Sequence, residues 1–532
     1  IDLFIALRFY PDKRRISVIL PLAGLYLFIF LSVFTGDLDL FAKKHLFRNQ
    51  EIVFLKETPY GNLTITRTGD QLNYYENYIL LFNTLNTVAS EEAVHYAMVQ
   101  HPDPKSVLLV SGGVSGILDE ILKYPVDTID YLEINPSLIK AARQFQSLPE
   151  SDKIIIYNRD ARLFVKDTYR TYDIVLLNVP PPGSAQVNRF YTWEFFQELQ
   201  QLLTPSGIIC LGMPSTINYM SEEAVEVNSI IYNTLQSVFA HVDIIPGEKN
   251  IYLASNKELS LAVAKLVEQK GIQNEYVNQY YIDDRLMLDR RNIVLNSLDR
   301  DADLNFDFIP RAYLKQISYW LSFFDLNYWV LWIPLFCLIL FLIFRRDPVN
   351  IGMFTGGFAA SSIEILLLIV FQIVYGYLYH VTGIIITLFM AGLATGPLIR
   401  KKILPKVRLR HFILVQSAIG TFAIILPLFF LLFRILNPAT GFIHLIIFFL
   451  TLAISILTGV EFSLASILKR GSILQVSSGI YSSDLIGSAI GALLVSALLI
   501  PYLGIVNVAF IIGGLNWLAA LYTWIKRRKF VS

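Results

Sequence analysis

The sequence predicts a multi-pass α-helical membrane bundle with one inserted α/β Rossmann-like domain, preceded by a small β-meander. Three observations predict it. Of 532 residues, 54% are hydrophobic and only 16% charged, where a soluble protein carries ~25% charged residues. The charge is concentrated between about 40 and 315 and is scarce from about 328 to 525, which implies two solvents, water and lipid. Inside the polar stretch, an apolar strand, a glycine turn and a helix follow one another over 106–123, the opening unit of doubly wound folds.

A membrane span needs about 20 apolar residues. One is expected at 16–35, and seven more at 328–344, 352–376, 381–399, 411–434, 442–468, 478–500 and 504–525. The expected organisation is a span within 1–40, which reads as the remnant of a longer membrane half because the chain opens on Ile1. A meander with a linking helix (50–100), the α/β domain (101–305) and a C-terminal membrane domain (325–528) follow. One set of short loops carries Lys13-Arg14-Arg15, Arg345-Arg346, Arg400-Lys401-Lys402, Lys469-Arg470 and Lys526 to Lys529, while the alternate loops carry no Lys or Arg. Basic short loops stay cytoplasmic, so the C-terminus is expected inside and the soluble domain outside. A half-span within 311–326 would invert the assignment. Glu364, Glu461 and Asp484 fall inside later spans. Carboxylates there face a bundle interior or a wet cavity, as a polar pathway or as protonated structural groups. Gly487 and Gly491 suit close helix packing.

The net charge of +1 says nothing about nucleic acid, but no basic tract with interleaved aromatics is present and no nucleic-acid partner is expected. Two cysteines, Cys210 and Cys337, fall in an expected buried strand and a membrane helix, so no disulfide or metal framework is expected. The stretch 51–83 alternates, with strands at 61–67 and 78–82 and a turn at Thr68-Gly69-Asp70. A helix bearing Glu91, Glu92 and His95 follows. The strand Ser106 to Val110 leads into Ser111-Gly112-Gly113-Val114-Ser115-Gly116, and a second strand, Thr128 to Leu132, ends at Glu133. An acid at that distance from a glycine turn accepts hydrogen bonds from ribose hydroxyls. A third strand, 154–157, precedes Asp160-Ala161, and a fourth, Tyr172 to Leu177, ends at Asn178 before Val179-Pro180-Pro181-Pro182. Ligands bind at the carboxyl ends of such strands, so Gly113, Glu133, Asp160 and Asn178 are expected in one crevice. Asp160 also suits the N-cap of the helix that follows.

These residues resemble the spermidine synthase (polyamine aminopropyltransferase) family. The resemblance covers about 50–300. It rests on His101-Pro102-Asp103-Pro104-Lys105, the glycine turn, Glu133, Asp160-Ala161, Tyr172-Asp173 and Asn188-Arg189-Phe190-Tyr191-Thr192. The layout looks like the membrane-fused branch of that family. The resemblance implies a domain of the class I S-adenosylmethionine-dependent methyltransferase type and decarboxylated S-adenosylmethionine as aminopropyl donor, with no metal. It further implies that Gly112, Gly113 and Gly116 hold the methionine-derived part, Glu133 the ribose, and Asp160 with Ala161 the adenine. Asn178 then stands at the catalytic position and Tyr191 at the substrate. The implied partners are the lipid bilayer, a small amine acceptor and, through the meander, a second copy of the chain.

The sequence departs from the family where an amine would be recognised. Val114, Asn178 and Pro181 stand where the family carries aspartates, and an amide does not act as a general base. Two other functions fit the same residues. One is a methyltransferase that uses S-adenosylmethionine itself. The other is a transporter or sensor whose soluble domain only binds an adenosyl ligand.

Overall fold

The computed structural model describes residues 43–527 except 216–219, 248, 325–331, 334, 338–339, 341–346, 377–378, 437–439 and 470–472, together with 21, 24–28 and 30–31. Most of the spans expected at 16–35 and 328–344 therefore lies outside the described residues. The chain divides into two compact units, Ile1–Asn86 and Thr87–Ser532.

The first unit is a four-stranded antiparallel meander, β1 (Glu51–Thr58), β2 (Gly61–Thr68), β3 (Gln71–Glu76) and β4 (Ile79–Asn83), ordered as in the chain. Leu63, Ile65, Leu72 and Tyr74 form its buried face, and Tyr74 stacks on Phe82 with ring centroids 4.5 Å apart. The strand expected from Tyr78 begins one residue later. Asn77 (φ 50) and Tyr78 (φ 67) are both left-handed, the geometry a two-residue hairpin loop requires.

The second unit opens with α1 (Thr87–Met98) and a seven-stranded sheet, β5 (Ser106–Val110), β6 (Thr128–Leu132), β7 (Ile154–Tyr157), β8 (Tyr172–Leu177), β9 (Leu203–Pro214), β10 (His241–Pro246) and β11 (Lys249–Ser255). The spatial order is β10-β11-β9-β8-β5-β6-β7. β5 to β9 pair in parallel, and β11 and β10 close the sheet antiparallel. The run Tyr172 to Leu177 is buried throughout, because helices cover both faces of a parallel sheet. Chain order reverses beside β5, whose neighbours are β6 and β8. That switch point opens a crevice at the strands' carboxyl ends.

Helix α2 is Arg311–Ser322. Its Ala312 and Tyr319 belong to the α/β core beside α3 (Glu222–Gln236), and Lys315 reaches Glu226 on that helix at 2.6 Å.

Five helical runs are long and apolar enough to cross a membrane: Pro348–Tyr375, Val381–Ile403, Leu409–Phe433, Phe442–Leu468 and Ser478–Ile525. They correspond to six of the expected spans, because the last run joins two. It contains α4 (Ile473–Leu494), a π-helical turn at Val495–Leu499 and α5 (Ile500–Ile525), and it leaves helical geometry at Gly504 (φ 78, ψ 162). The expected loop there reduces to a kink, where the Ile505 amide donates to the carbonyl of Phe308 in the segment before α2. Gly487 and Gly491 do pack closely: Cβ atoms there would run into the backbone of Phe354 and Phe358 on α6 (Pro348–Tyr375).

Candidate functional site

The crevice is built at the ends of four adjacent strands held in register. Val110 pairs with Leu132 on one side and Leu177 on the other, and Leu132 pairs with Tyr157. Ser111, Glu133, Asn158 and Asn178 therefore leave the sheet in one row. The amides of Ser111, Glu133 and Asn178 donate to the carbonyls of Leu132, Tyr157 and Val110 at 2.9, 3.1 and 3.0 Å.

The glycine turn follows β5. Ser111 (φ 62), Gly112 (φ 76) and Gly116 (φ 91) are left-handed. Ser111 holds the glycine geometry at a cost of about 1 kcal/mol. Gly112 has a second reason to lack a side chain, because a Cβ there would overlap the Asn178 amide. A Cβ on Gly113 would meet the Tyr131 ring 2.6 Å away, and one on Gly116 would touch Ser90 Oγ at 3.4 Å. Ser90, on α1, donates to the Ser115 carbonyl at 2.6 Å and so fixes the turn from behind.

Glu133 is only 5% exposed. The Asn135 amide donates to Oε1 at 3.1 Å and the Tyr131 hydroxyl to Oε2 at 3.2 Å. Burial, with Glu133 beside it, pushes the Tyr131 hydroxyl well above its usual range, so it stays a donor. These bonds hold the carboxylate in a fixed orientation at the carboxyl end of β6.

Asp160 caps helix α7 (Ala161–Asp167), its Oδ1 accepting from the amides of Arg162 and Leu163 at 3.1 and 3.2 Å. Its other oxygen receives Arg189 Nη2. Arg189 is 1% exposed. Its Nη1 donates to the carbonyl of Ile373 on α6 at 3.4 Å, and its guanidinium lies 4.7 Å from the Phe190 ring centroid. Gly376, which ends α6, closes on the same pair. A Cβ there would lie 2.7 Å from Arg189 Nη2 and 2.5 Å from Asp160 Oδ2. An apolar membrane helix thus ends against Asp160. The sequence reading placed Asp160 in the crevice but did not foresee this. The available signal was Arg189 itself, a lone cation between Asn188 and an aromatic run.

Tyr191, expected at the substrate, is fully buried. Its hydroxyl donates to the carbonyls of Val179 and Pro180 at 3.1 and 2.9 Å. It holds the shape of the loop that carries Asn178. Asn178 itself is half-buried and lies over Gly112. Val114 is buried. Ala161 follows Asp160 as the first residue of α7.

Two further clusters stabilise the frame. Arg162 forms a paired contact with Asp307, 2.7 Å at each nitrogen, and also reaches Glu198, while the Thr192 hydroxyl bonds Asp307 at 2.8 Å. On α1, Glu91 accepts three backbone amides, from Glu275, Tyr276 and Val277, and His95 bridges Tyr124 and Glu120 at 2.8 Å each. Of the intramembrane acids, Glu461 and Asp484 meet the same helix, α6, at adjacent glycines, Gly356 and Gly357. Glu364 lies on α6 itself, eight residues beyond Gly356 or about 12 Å along the axis.

The sheet order, with five parallel strands closed by an antiparallel pair, is that of class I S-adenosylmethionine-dependent methyltransferases. Residues 86–258 match the spermine/spermidine synthase domain. Over that stretch the chain is similar to this family, and it continues into helices long and apolar enough to cross a membrane. Similar proteins include the polyamine aminopropyltransferase of Oceanobacillus iheyensis, 26% identical over 245 residues (44% of this chain and 48% of that protein). Another is polyamine aminopropyltransferase 2 of Aquifex aeolicus, 26% identical over 242 residues (43% and 48%). The chain spans about half the length of these curated relatives. Among solved structures, spermidine synthase from Thermotoga maritima is 17% identical, with 47% of this chain and 87% of that one covered at a TM-score of 0.40.

Proposed function

We propose that the protein is a membrane-bound aminopropyltransferase that uses decarboxylated S-adenosylmethionine and an amine acceptor. The observation that carries this reading is the row of strand ends bringing Gly112, Glu133 and Asn178 to one crevice, within a domain that matches this family. Glu133 holds the ribose diol, Asp160 and the Ala161 amide read the base edge, and the turn from Gly112 to Gly116 leaves backbone room for the sulfonium arm. When bound, the donor supplies a carbon activated by the sulfonium. The amine lone pair forms the new C–N bond there, the C–S electrons stay on sulfur as a neutral thioether, and the amine loses a proton.

This chain contributes alignment more than acid–base chemistry. Asn178 presents an amide to the acceptor where relatives' carboxylates would neutralise an ammonium, so the acceptor is an amine bound in its neutral form. Alignment alone supplies much of the rate in such displacements. Asn178 also favours a second reading, a module that binds an adenosyl ligand without turnover, because an amide at that strand end does not act as a general base.

The test is calorimetry on the detergent-solubilised full chain with methylthioadenosine, followed by a product assay with decarboxylated S-adenosylmethionine and a series of amines. Binding with turnover supports the transferase. Binding without turnover supports the second reading, and absence of binding overturns both. Asn178→Asp should raise turnover of short diamines if the crevice is the acceptor site.

A further inference from the structure

We propose that the membrane bundle holds a small monovalent cation between Glu461 and Asp484, in a site built on the glycine face of α6. Three glycines on that helix each receive a polar side chain from a different neighbour. At Gly352 a Cβ would lie 3.0 Å from Gln416 Nε2, on the helix Leu409–Leu436. At Gly356 it would run into the carboxylate of Glu461, on the helix Thr440–Leu468. At Gly357 it would lie 2.7 Å from Asp484 Oδ1 and 2.9 Å from Ser488 Oγ, both on α4. Glycine within a helix costs about 1 kcal/mol relative to alanine. Gly356 bears that cost where the Glu461 carboxylate needs the space, whereas at Gly357 the backbone carbonyl of Asp484 comes closer than its carboxylate.

The carboxylates are not satisfied by the protein. Glu461 is 0% exposed and neither of its oxygens has a hydrogen-bond partner. Gln416 Oε1 and Ser362 Oγ are also buried without partners. Gln416 commits only its amide nitrogen, to Thr355 Oγ1 at 3.0 Å. An uncompensated carboxylate in such surroundings costs several kcal/mol. A cation shared with Asp484 satisfies both acids. Two basic side chains at this end of the bundle are engaged elsewhere, Lys469 by Asn350 at 2.5 Å and Asp347 at 3.3 Å at the start of α6, and Arg400 by Ser463 at 3.0 Å.

The donor set selects the ligand. Among the described residues, no group of three or more His, Cys, Asp or Glu side chains could hold a metal ion. Two carboxylates and the Ser488 hydroxyl beside Asp484 form an all-oxygen set without thiolate or imidazole, which disfavours transition metals. Magnesium demands octahedral oxygens and retained waters, which a packed glycine face does not supply. An alkali ion or a protonated primary amine fits both the charge and the oxygens.

The test is thermal unfolding of the detergent-solubilised full chain in NaCl, KCl or methylammonium chloride, with choline chloride holding the ionic strength constant. One small cation should raise the melting temperature saturably. Glu461→Gln and Asp484→Asn should each weaken its apparent affinity at least tenfold, and Glu461→Gln should melt higher than the native chain without cation. A response to methylammonium alone assigns an ammonium ligand, and a response to sodium or potassium alone assigns an alkali ion. Equal responses in native and variant chains, or a native response to pH with none to cations, overturn the proposal. If Glu461→Gln does not fold, Asp484→Asn carries the comparison.

Discussion

Arg189 joins Asp160, at the end of a soluble-domain strand, to the last turn of an apolar helix 184 residues further along the chain. One planar cation meets a carboxylate on one side and the Ile373 carbonyl on the other, and it is almost completely buried. Removing one partner of such a pair leaves the other charged and dry, which costs about 3–5 kcal/mol.

Arg189→Gln should therefore lower the melting temperature of the full chain. It should also weaken methylthioadenosine binding about tenfold, near 1.4 kcal/mol, because Asp160 loses the partner that fixes its outer oxygen. Calorimetry at one temperature on the native and variant chains measures the second effect. An unchanged affinity would separate Asp160 from base recognition.

Gly376 offers a paired measurement. Gly376→Ala should cost about 1–3 kcal/mol, since the residue has φ 82 and a methyl group would press on Asp160 and Arg189. Gly271→Ala has a similar φ of 65 but nothing within 4 Å, so it should cost only the backbone strain of about 1 kcal/mol. The difference between the two melting shifts reports the crowding at the ion pair together with the greater backbone strain of Gly376, whose ψ of -165 lies outside the left-handed region that Gly271 occupies at ψ 25.

Glu133→Gln should reduce methylthioadenosine affinity by roughly 1.5–3 kcal/mol, the worth of hydrogen bonds to a charged group. Tyr131→Phe removes only the hydroxyl that orients Oε2 and should cost about 1 kcal/mol. An equal effect of both would show that the tyrosine, not the carboxylate charge, sets the ribose position.

The pH dependence of stability should have an acid limb. Burial works against ionisation of Asp307, but the Arg162 guanidinium and the Thr192 hydroxyl outweigh it, and its folded pKa lies below the usual value. Asp173 is likewise lowered: burial opposes ionisation, and the amides of Lys105 and Ser106 override it. A carboxyl group depressed in the folded state contributes stability above its unfolded pKa of about 3.9. That stability is lost as pH falls through the folded value. Melting temperature should therefore hold steady from pH 7 to about 5 and fall below about 4. Asp307→Asn should cost about 3 kcal/mol at pH 7 and flatten part of the acid limb.

Much of the crevice was legible because its signals are local. β5, β6, β7 and β8 were readable as short apolar runs, each with its marker, Gly112, Glu133, Asp160 or Asn178, directly after it. The meander's third strand was not, since Gln71 to Glu76 is polar on one face and joined to β4 by Asn77-Tyr78 without the glycine that usually marks such a turn. The joining of the last two spans was missed because Pro501 and Gly504 read as a loop, whereas proline is tolerated in a helix's first turn. The least legible feature was Arg189. Its partners Asp160 and Ile373 lie on separate elements, and no periodicity reports a contact made by two distant segments.

The length of α6 gives its junction with Asp160 a further consequence. Twenty-eight residues span about 42 Å at 1.5 Å each, against a hydrocarbon layer of about 30 Å. A helix with that excess tilts, and the tilt follows bilayer thickness. Its far end stops on a buried ion pair, so a thinner or thicker membrane would be felt as a displacement of Gly376 against Asp160. Lipid composition thereby becomes a variable of the crevice at the strand ends.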